Sequence, residues 1–227
     1  MKLLLGLSML GQLTTTTATH TPTQSVVLSY PTGGYPPYTT AAGKGLIVDK
    51  VRTLANKLGY QLEIVQLPAA RTDSFSQFQI DCRTKSKALV TNPEQYLWSE
   101  HLVTMNDVLV TSANSRYSAT NVHEFAEKGG LLGLVNGFSY PQLESILPSI
   151  DFTRAGDVQS VVAMLLRQRV DGIIIDERVF LHQLNLRDLS PLDFTLSPPL
   201  ASYSFRLQCA KTAAAEAFIK ALNAQLP

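Results

Sequence analysis

The hydrophobic pattern of residues 45–67 predicts one unit of an α/β domain. Apolar residues recur at the spacing of a single helix face, at Ile47, Val51, Leu54, Ala55 and Leu58. Gly59 follows where a glycine commonly ends a helix, and residues 62–67 then form an apolar run with the length of a strand. The order of loop, helix and strand is typical of the α/β class.

The next segments continue this pattern up to a polar connector. Residues 71–79 are interpreted as a helix that leads through Ile80 and Asp81 into a third strand. Pro93 suits the first turn of a short helix with Asn92 as its cap. Residues 105–111 form a further predicted strand, and the polar residues 112–120 are predicted to connect to a second unit.

A second α/β unit is predicted from residue 131 onward. It has a strand at 131–135, a turn that contains Gly137, a helix from about Pro141 and an apolar strand at 170–175. A helix between them carries its apolar face at Val158, Val161, Val162, Leu165 and Leu166. Continuous apolar strands between helices indicate a parallel sheet covered on both faces. A last strand at 204–209 precedes a terminal helix with an apolar stripe at Ala214, Phe218, Ile219 and Leu222.

The N-terminus has the pattern of a secretory signal. Lys2 precedes a short apolar run, 3–13, and threonines and alanines continue to His20. The run is too short to span a bilayer as a helix. We expect residues 1–20 to be a signal peptide and the mature protein to be periplasmic; a buried N-terminal helix is the alternative.

Composition narrows the classes of function. The chain is 45% hydrophobic and 16% charged, which suits a globular protein that buries a core. Its 19 basic residues nearly balance 18 acidic ones, so we expect no nucleic-acid partner, although a local basic patch stays open. The two cysteines of an exported chain favour a disulfide, with two buried thiols as the alternative.

The order of these segments resembles that of the family 3 solute-binding proteins, which deliver polar amino acids to ABC importers. The resemblance spans residues 26–225 and rests on the Tyr-Pro-Pro-Tyr loop at 35–38, the helix and strand at 45–65, Ile80-Asp81, Gly137-Phe138-Ser139 and the block at 170–177. It implies a two-lobed α/β fold of the type II periplasmic-binding-protein class, with two crossover strands and an interlobe cleft that closes by hinge motion.

The resemblance also implies domain bounds and a cysteine pairing. Lobe 1 would comprise residues 25–111 plus 200–227, and lobe 2 residues 112–199. In this fold the returning strand runs beside the third strand of lobe 1, which would place Cys82 next to Cys209.

Four positions match ligand-binding positions of the family. Tyr35 and Tyr38 are expected to pack on the ligand, or else to form a rigid surface loop. Ser139 corresponds to a hydroxyl at a helix start that favours an anionic group, or is an ordinary cap. Asp176 corresponds to the carboxylate that faces the ligand ammonium; its alternative role is the N-cap of a helix that begins near Glu177.

One departure weakens the amino-acid assignment. Family members carry an arginine after a Thr-Pro-Glu-like turn that clamps the ligand carboxylate, and here that position is Gln95. Ala88 and Val90 replace the hydroxyl residues expected before it. Arg71, directly after the second strand, is a candidate substitute, with a solvated helix-start arginine as the alternative.

We therefore expect a monomeric binding protein that captures a small polar solute, an amino acid or a related compound, for an ABC permease. The alternatives are a ligand-sensing partner of a membrane receptor and a dehydratase-like enzyme. The four histidines are scattered without metal-ligand spacing, and no nucleophile motif is present. We expect no enzymatic activity, no metal and no cofactor.

Overall fold

The computed structural model describes residues 24–68, 71–72 and 74–226. The predicted signal peptide, 1–20, lies outside the described residues. The α-helices are α1 (Leu46–Lys57), α2 (Val122–Glu127), α3 (Val158–Leu166), α4 (Glu177–Asn185) and α5 (Ala213–Asn223). Within the described part of the chain, no helix has the length and apolarity needed to cross a bilayer.

Twelve strands accompany these helices in the described residues. The first six are β1 (Gln24–Pro31), β2 (Gly34–Tyr35), β3 (Thr39–Thr40), β4 (Tyr60–Leu67), β5 (Cys82–Ser86) and β6 (Leu97–Trp98). The others are β7 (Val103–Ser112), β8 (Leu132–Val135), β9 (Phe152–Ala155), β10 (Gly172–Asp176), β11 (Phe194–Leu196) and β12 (Ala201–Cys209).

One sheet has the order β4-β1-β5-β12-β7-β10-β8-β9, while β2 and β3 form a separate hairpin. Strands β4, β1 and β5 run parallel at one end, and β10, β8 and β9 run parallel at the other. The long strands β7 and β12 lie antiparallel between these two groups and cross from one to the other. These are the two crossover strands that the resemblance predicts.

Helix α1 forms where the hydrophobic pattern predicts it and buries its apolar face. Ile47, Val48, Val51 and Ala55 are buried on its inner face, and Gly59 follows its end with a φ of 80°, a conformation that glycine adopts without a Cβ clash. The helix packs on β4, and α5 covers the same group of strands through Phe218, whose ring lies 5.0 Å from that of Tyr60. A second apolar cluster around Phe125 supports β8 and β10.

The predicted pairing of the cysteines is confirmed. Cys82 and Cys209 lie opposite each other in the antiparallel β5–β12 ladder and form a disulfide. Both residues are fully buried. The bond ties the returning crossover strand to the parallel group at the N-terminal end of the sheet.

Two predicted helices are wrong. The described residues of the first stretch, 71–72 and 74–79, form turns and no α-helix, because the stretch has few strong helix formers and Phe75 packs instead on the ring of Tyr96, 5.5 Å away. The helix predicted from Pro141 is reduced to two separate 3₁₀ turns, Pro141–Leu143 and Leu147–Ser149. Pro148 lacks a backbone N–H and disfavours the α conformation of the residue before it, so a continuous helix cannot form there.

Two shorter predictions need adjustment. The turn at Pro93–Gln95 is a single 3₁₀ turn, and the side chain of Asn92 makes no capping bond. The connector after residue 112 ends at Asn121, which caps α2, a helix that the sequence pattern did not indicate.

Candidate functional site

A cavity of about 120 Å³ lies at the carboxyl ends of β1, β5, β8 and β10. Open sheets bind ligands at this edge. Its apolar wall comes from both ends of the sheet and includes Tyr35, Tyr38, Met105, Phe138, Ile175 and Phe205. Three charged side chains also line it: Arg83, Lys85 and Asp107.

A more polar cavity of about 340 Å³ adjoins the first. The residues that line both are Arg83, Lys85, Leu89, Gly137 and Ser139. We call the two adjoining cavities the cleft. Its apolar part and its polar part therefore meet at the basic residues of β5.

The tyrosine loop forms an aromatic wall of the cleft. The rings of Tyr35 and Tyr38 stack with their centroids 6.1 Å apart, and Phe138 meets Tyr35 edge-on at 5.6 Å. Gly45 makes this loop possible, because a Cβ there would lie 2.5 Å from the carbonyl oxygen of Tyr38. That carbonyl accepts a hydrogen bond from the N–H of Ile47 at the start of α1.

Asp176 lies beside this wall, and three hydrogen bonds from the protein already engage its carboxylate. Its Oδ1 accepts from the Tyr38 hydroxyl and from the N–H of Val179, both at 3.1 Å, and its Oδ2 accepts from the N–H of Asn106 at 2.8 Å. The residue is 1% exposed and is the N-cap of α4. Burial raises the pKa of Asp176, and the three bonds oppose this rise. Asp176 is therefore the N-cap of a helix that begins at Glu177, which the sequence analysis gave as its alternative role.

Among the described residues, Asp107 is the acidic side chain that lines the cleft. It lies opposite Asp176 in the β7–β10 ladder, and its Oδ2 accepts a hydrogen bond from Gln142 at 3.1 Å. Gln142 in turn accepts from the hydroxyl of Tyr203 at 2.7 Å. Burial raises the pKa of Asp107 to about 6, and the charge of Asp176 adds to the rise while the Gln142 bond opposes it.

Two basic residues of β5 lie on the other side of the cleft. Arg83 and Lys85 alternate along the strand and so share a face. Arg83 donates through Nε to Gln208 at 2.6 Å, and its guanidinium lies 5.5 Å from the ring of Phe75. Burial lowers the pKa of Lys85 to about 8, and the charge of Arg83 lowers it further.

The residues predicted for the site lie at different places. Tyr35 and Tyr38 line the apolar part of the cleft, and Ser139 lines both parts. Gln95 is exposed and lines the polar part. Arg71 is exposed and is not among the residues that line either cavity. The structure thus brings most of the predicted positions to one region, whereas Arg71 lines neither cavity although its neighbour Thr72 lines the first.

Sequence reasoning missed the charged residues Arg83, Lys85 and Asp107. A signal for each was present: Asp107 interrupts the apolar strand β7, and the two basic residues alternate directly after Cys82. A charge inside a strand of a buried sheet is unusual unless it faces a cavity or a partner. Among the described residues, no group of three or more His, Cys, Asp or Glu side chains is placed to hold a metal ion.

We expect the Asp107→Asn variant to be more stable than the wild type at pH 8 by about 3 kcal/mol. The folded pKa of about 6 exceeds the unfolded value, so ionising Asp107 costs stability as the pH rises from about 4 through about 6. Asparagine removes this cost and still presents an oxygen to Gln142. Urea unfolding at pH 4 and pH 8 measures the difference.

The exposed carboxylate of Asp151 provides the matched control, since Asp151→Asn should leave the stability difference between the two pH values unchanged. If the free energy of unfolding differs between Asp107→Asn and the wild type by the same amount at both pH values, Asp107 is not the titrating group.

Comparison with known proteins supports the fold. No protein-family model matches the chain, and no curated protein matches it. An arginine-bound variant of ArgBP from T. maritima aligns with a TM-score of 0.71 and 17% identity over 88% of this chain and 93% of its own. A substrate-binding protein of an ABC uptake transporter from Streptococcus pneumoniae, with bound histidine, aligns with a TM-score of 0.72 and 19% identity over 88% and 84%.

An ancestral arginine-binding protein with bound arginine gives a TM-score of 0.71 at 16% identity, over 88% of this chain and 92% of its own. At identities this low the similarity concerns the fold. The crossover strands β7 and β12 and the cleft at the strand ends agree with it. The chain therefore has the two-lobed α/β fold of the periplasmic substrate-binding proteins, as its sequence predicts.

Proposed function

We propose that this protein captures a small polar solute in the cleft and delivers it to an ABC importer from outside the cytoplasm. The observation that carries the proposal is the composition of the cleft: aromatic walls from both ends of the sheet enclose side chains of both charges. Ligand sites commonly combine an apolar lining with a few placed polar groups. The neighbours in fold are binding proteins whose ligands include arginine and histidine, which supports an amino acid or a related compound.

In this proposal the lobes close on the ligand about β7 and β12. Residues 25–111 plus 200–227 form one lobe, and residues 112–199 form the other. Tyr35 and Tyr38 supply the aromatic wall, while Gln95 and Ser139 supply polar contacts at the opening. A ligand that touches both lobes stabilises the closed state because it contacts both surfaces only there.

A thermal-shift screen against amino acids, polyamines and small carboxylates tests the proposal. A ligand at about 100 times its dissociation constant adds about 2.7 kcal/mol to the stability of the native state, which raises the melting temperature by several degrees. We expect such a rise with at least one amino acid or close relative. No rise with any compound would contradict the proposed function.

A pair of variants ties the rise to the cleft. Ser139 is exposed and lines both cavities, so Ser139→Trp should fill the opening and abolish the ligand-induced rise. Ser149 is exposed on a 3₁₀ turn and lines neither cavity, so Ser149→Trp should retain it. An equal rise in both variants would place the ligand elsewhere.

A further inference from the structure

We propose that the cleft recognises a zwitterion through two subsites of its own: Asp107 binds the cationic group of the ligand, and Lys85 binds its anionic group. This inference deepens the proposed function and rests on it. It differs from the pattern of the resembled family, in which Asp176 and the position of Gln95 would hold these two groups.

Neither residue of the family pattern is suited to its role in this chain. Asp176 already accepts three hydrogen bonds from the protein, and its residue is 1% exposed. Asp176 is also not among the residues that line either cavity, so a ligand ammonium in the cleft would not reach it directly. Gln95 carries no charge, so it cannot neutralise a carboxylate. The opposite charges of a zwitterion therefore need other partners.

Asp107 has more free acceptor capacity than Asp176. It lines the cleft, and only its Oδ2 accepts a hydrogen bond from another described residue, Gln142. Tyr203 on β12 donates a hydrogen bond to Gln142 of the second lobe, and Gln142 donates one to Asp107 on β7. This chain of hydrogen bonds holds the Asp107 carboxylate in place. Its Oδ1 accepts no hydrogen bond from the part of the chain that the structure describes. An ammonium or guanidinium of a ligand would supply the missing donor.

Lys85 is the complementary cation. It lines both parts of the cleft, and among the described residues it makes no hydrogen bond or ion pair. The neighbouring Arg83 adds positive potential on the same face of β5. No described Asp or Glu side chain lines the polar cavity, where Gln95 and Ser139 offer further donors. A carboxylate is the group that this surface is built to receive.

The two charges line one cavity but do not neutralise each other. No salt bridge joins Asp107 to Lys85 in the described residues, and the groups that shift the pKa of Asp107 do not include Lys85. Burial raises the pKa of Asp107 and lowers that of Lys85, which favours the neutral form of each group. Keeping either group charged therefore costs free energy, and a ligand group of opposite charge would offset that cost. A ligand that carries both charges, with an apolar part between them that packs on Tyr35 and Tyr38, neutralises Asp107 and Lys85 at once.

Three sets of probes separate the two subsites. The sets are L-arginine, agmatine and 5-guanidinopentanoate; L-histidine, histamine and imidazole-propionate; and L-lysine, cadaverine and 6-aminohexanoate. In each set the second compound lacks the carboxylate and the third lacks the α-amino group. Calorimetric titration of the wild type, Lys85→Met and Asp107→Asn gives nine affinities for the set that binds.

We expect Lys85→Met to weaken binding of the amino acid by about tenfold to a hundredfold while leaving the affinity for its decarboxylated amine unchanged. Asp107→Asn should weaken binding of the amino acid and of the amine by a similar factor. The unchanged affinity of Lys85→Met for the amine shows that this variant is folded. Lys220→Met and Asp151→Asn, both at exposed positions, are the matched controls and should bind like the wild type.

The outcomes distinguish the two proposals. If the wild type binds a probe and neither Lys85→Met nor Asp107→Asn changes any affinity, the subsites are wrong while the proposed function stands. If Lys85→Met weakens the amine as much as the amino acid, the lysine does not bind a carboxylate. If the wild type binds none of these probes while the thermal-shift screen finds another ligand, the subsites are wrong and the proposed function stands. If neither experiment finds a ligand, the proposed function and the subsites fail together.

Discussion

Reduction of the Cys82–Cys209 disulfide is expected to lower the free energy of unfolding by about 5 kcal/mol. The bond closes a loop with a sequence separation of 127 residues, and the chain-entropy model assigns about this loss to a loop of that length. It joins β5 to the returning strand β12, so the reduced protein should lose stability as a whole. Urea unfolding with and without a reductant measures the change.

The double variant Cys82→Ala/Cys209→Ala is the control for this experiment. It should be less stable than the oxidised wild type and should show no response to the reductant. Equal stability of the wild type with and without reductant would contradict the prediction. A titration that finds two free thiols in the unfolded, unreduced protein would contradict the bond itself.

Asp176→Ala is expected to lower the free energy of unfolding by about 4 kcal/mol. The change removes the N-cap of α4 and leaves the Tyr38 hydroxyl and the N–H of Asn106 without their acceptor in a buried region. An unsatisfied buried donor costs about 1–3 kcal/mol, and a lost cap costs about 1 kcal/mol. Chemical unfolding of the ligand-free protein gives the value.

Asp157→Ala is the matched control, because the Asp157 side chain caps α3 through the N–H of Ser160 and accepts no other hydrogen bond from the described residues. It should cost about 1 kcal/mol. The excess loss in Asp176→Ala then measures the two additional bonds to Tyr38 and Asn106. Equal losses in the two variants would show that Asp176 acts only as a cap.

Prediction from sequence succeeded where a local pattern and its burial agree. The α1 helix, the strand β10 and the terminal helix each carry an apolar face or run that can be buried in only one way. The segments 71–79 and 141–149 failed for the opposite reason. Their apolar residues have no sustained period, so the packing of Phe75 on Tyr96 and the position of Pro148 decided their backbone.

The candidate site shows the same division. The tyrosine loop and Ser139 were predicted from their positions in the order of segments, and they line the cleft. Asp107, Lys85 and Arg83 were missed because a charge inside a strand marks each position as unusual but does not show what it faces. They become a set only when β5 and β7 are brought to opposite sides of one cavity.

The sequence by itself determined the α/β class and the order of the main strands and helices, since hydrophobic periodicity and turn residues act over short distances. The two-lobed arrangement was implied by the family resemblance. Only the tertiary structure decided which carboxylate is available to a ligand. Asp176 and Asp107 are neighbours across two strands that are distant in the chain. Asp176 accepts hydrogen bonds from Tyr38, Asn106 and Val179, whereas Asp107 lines the cleft and accepts a side-chain hydrogen bond only from Gln142 among the described residues. Such a difference depends on contacts between segments that no local pattern encodes.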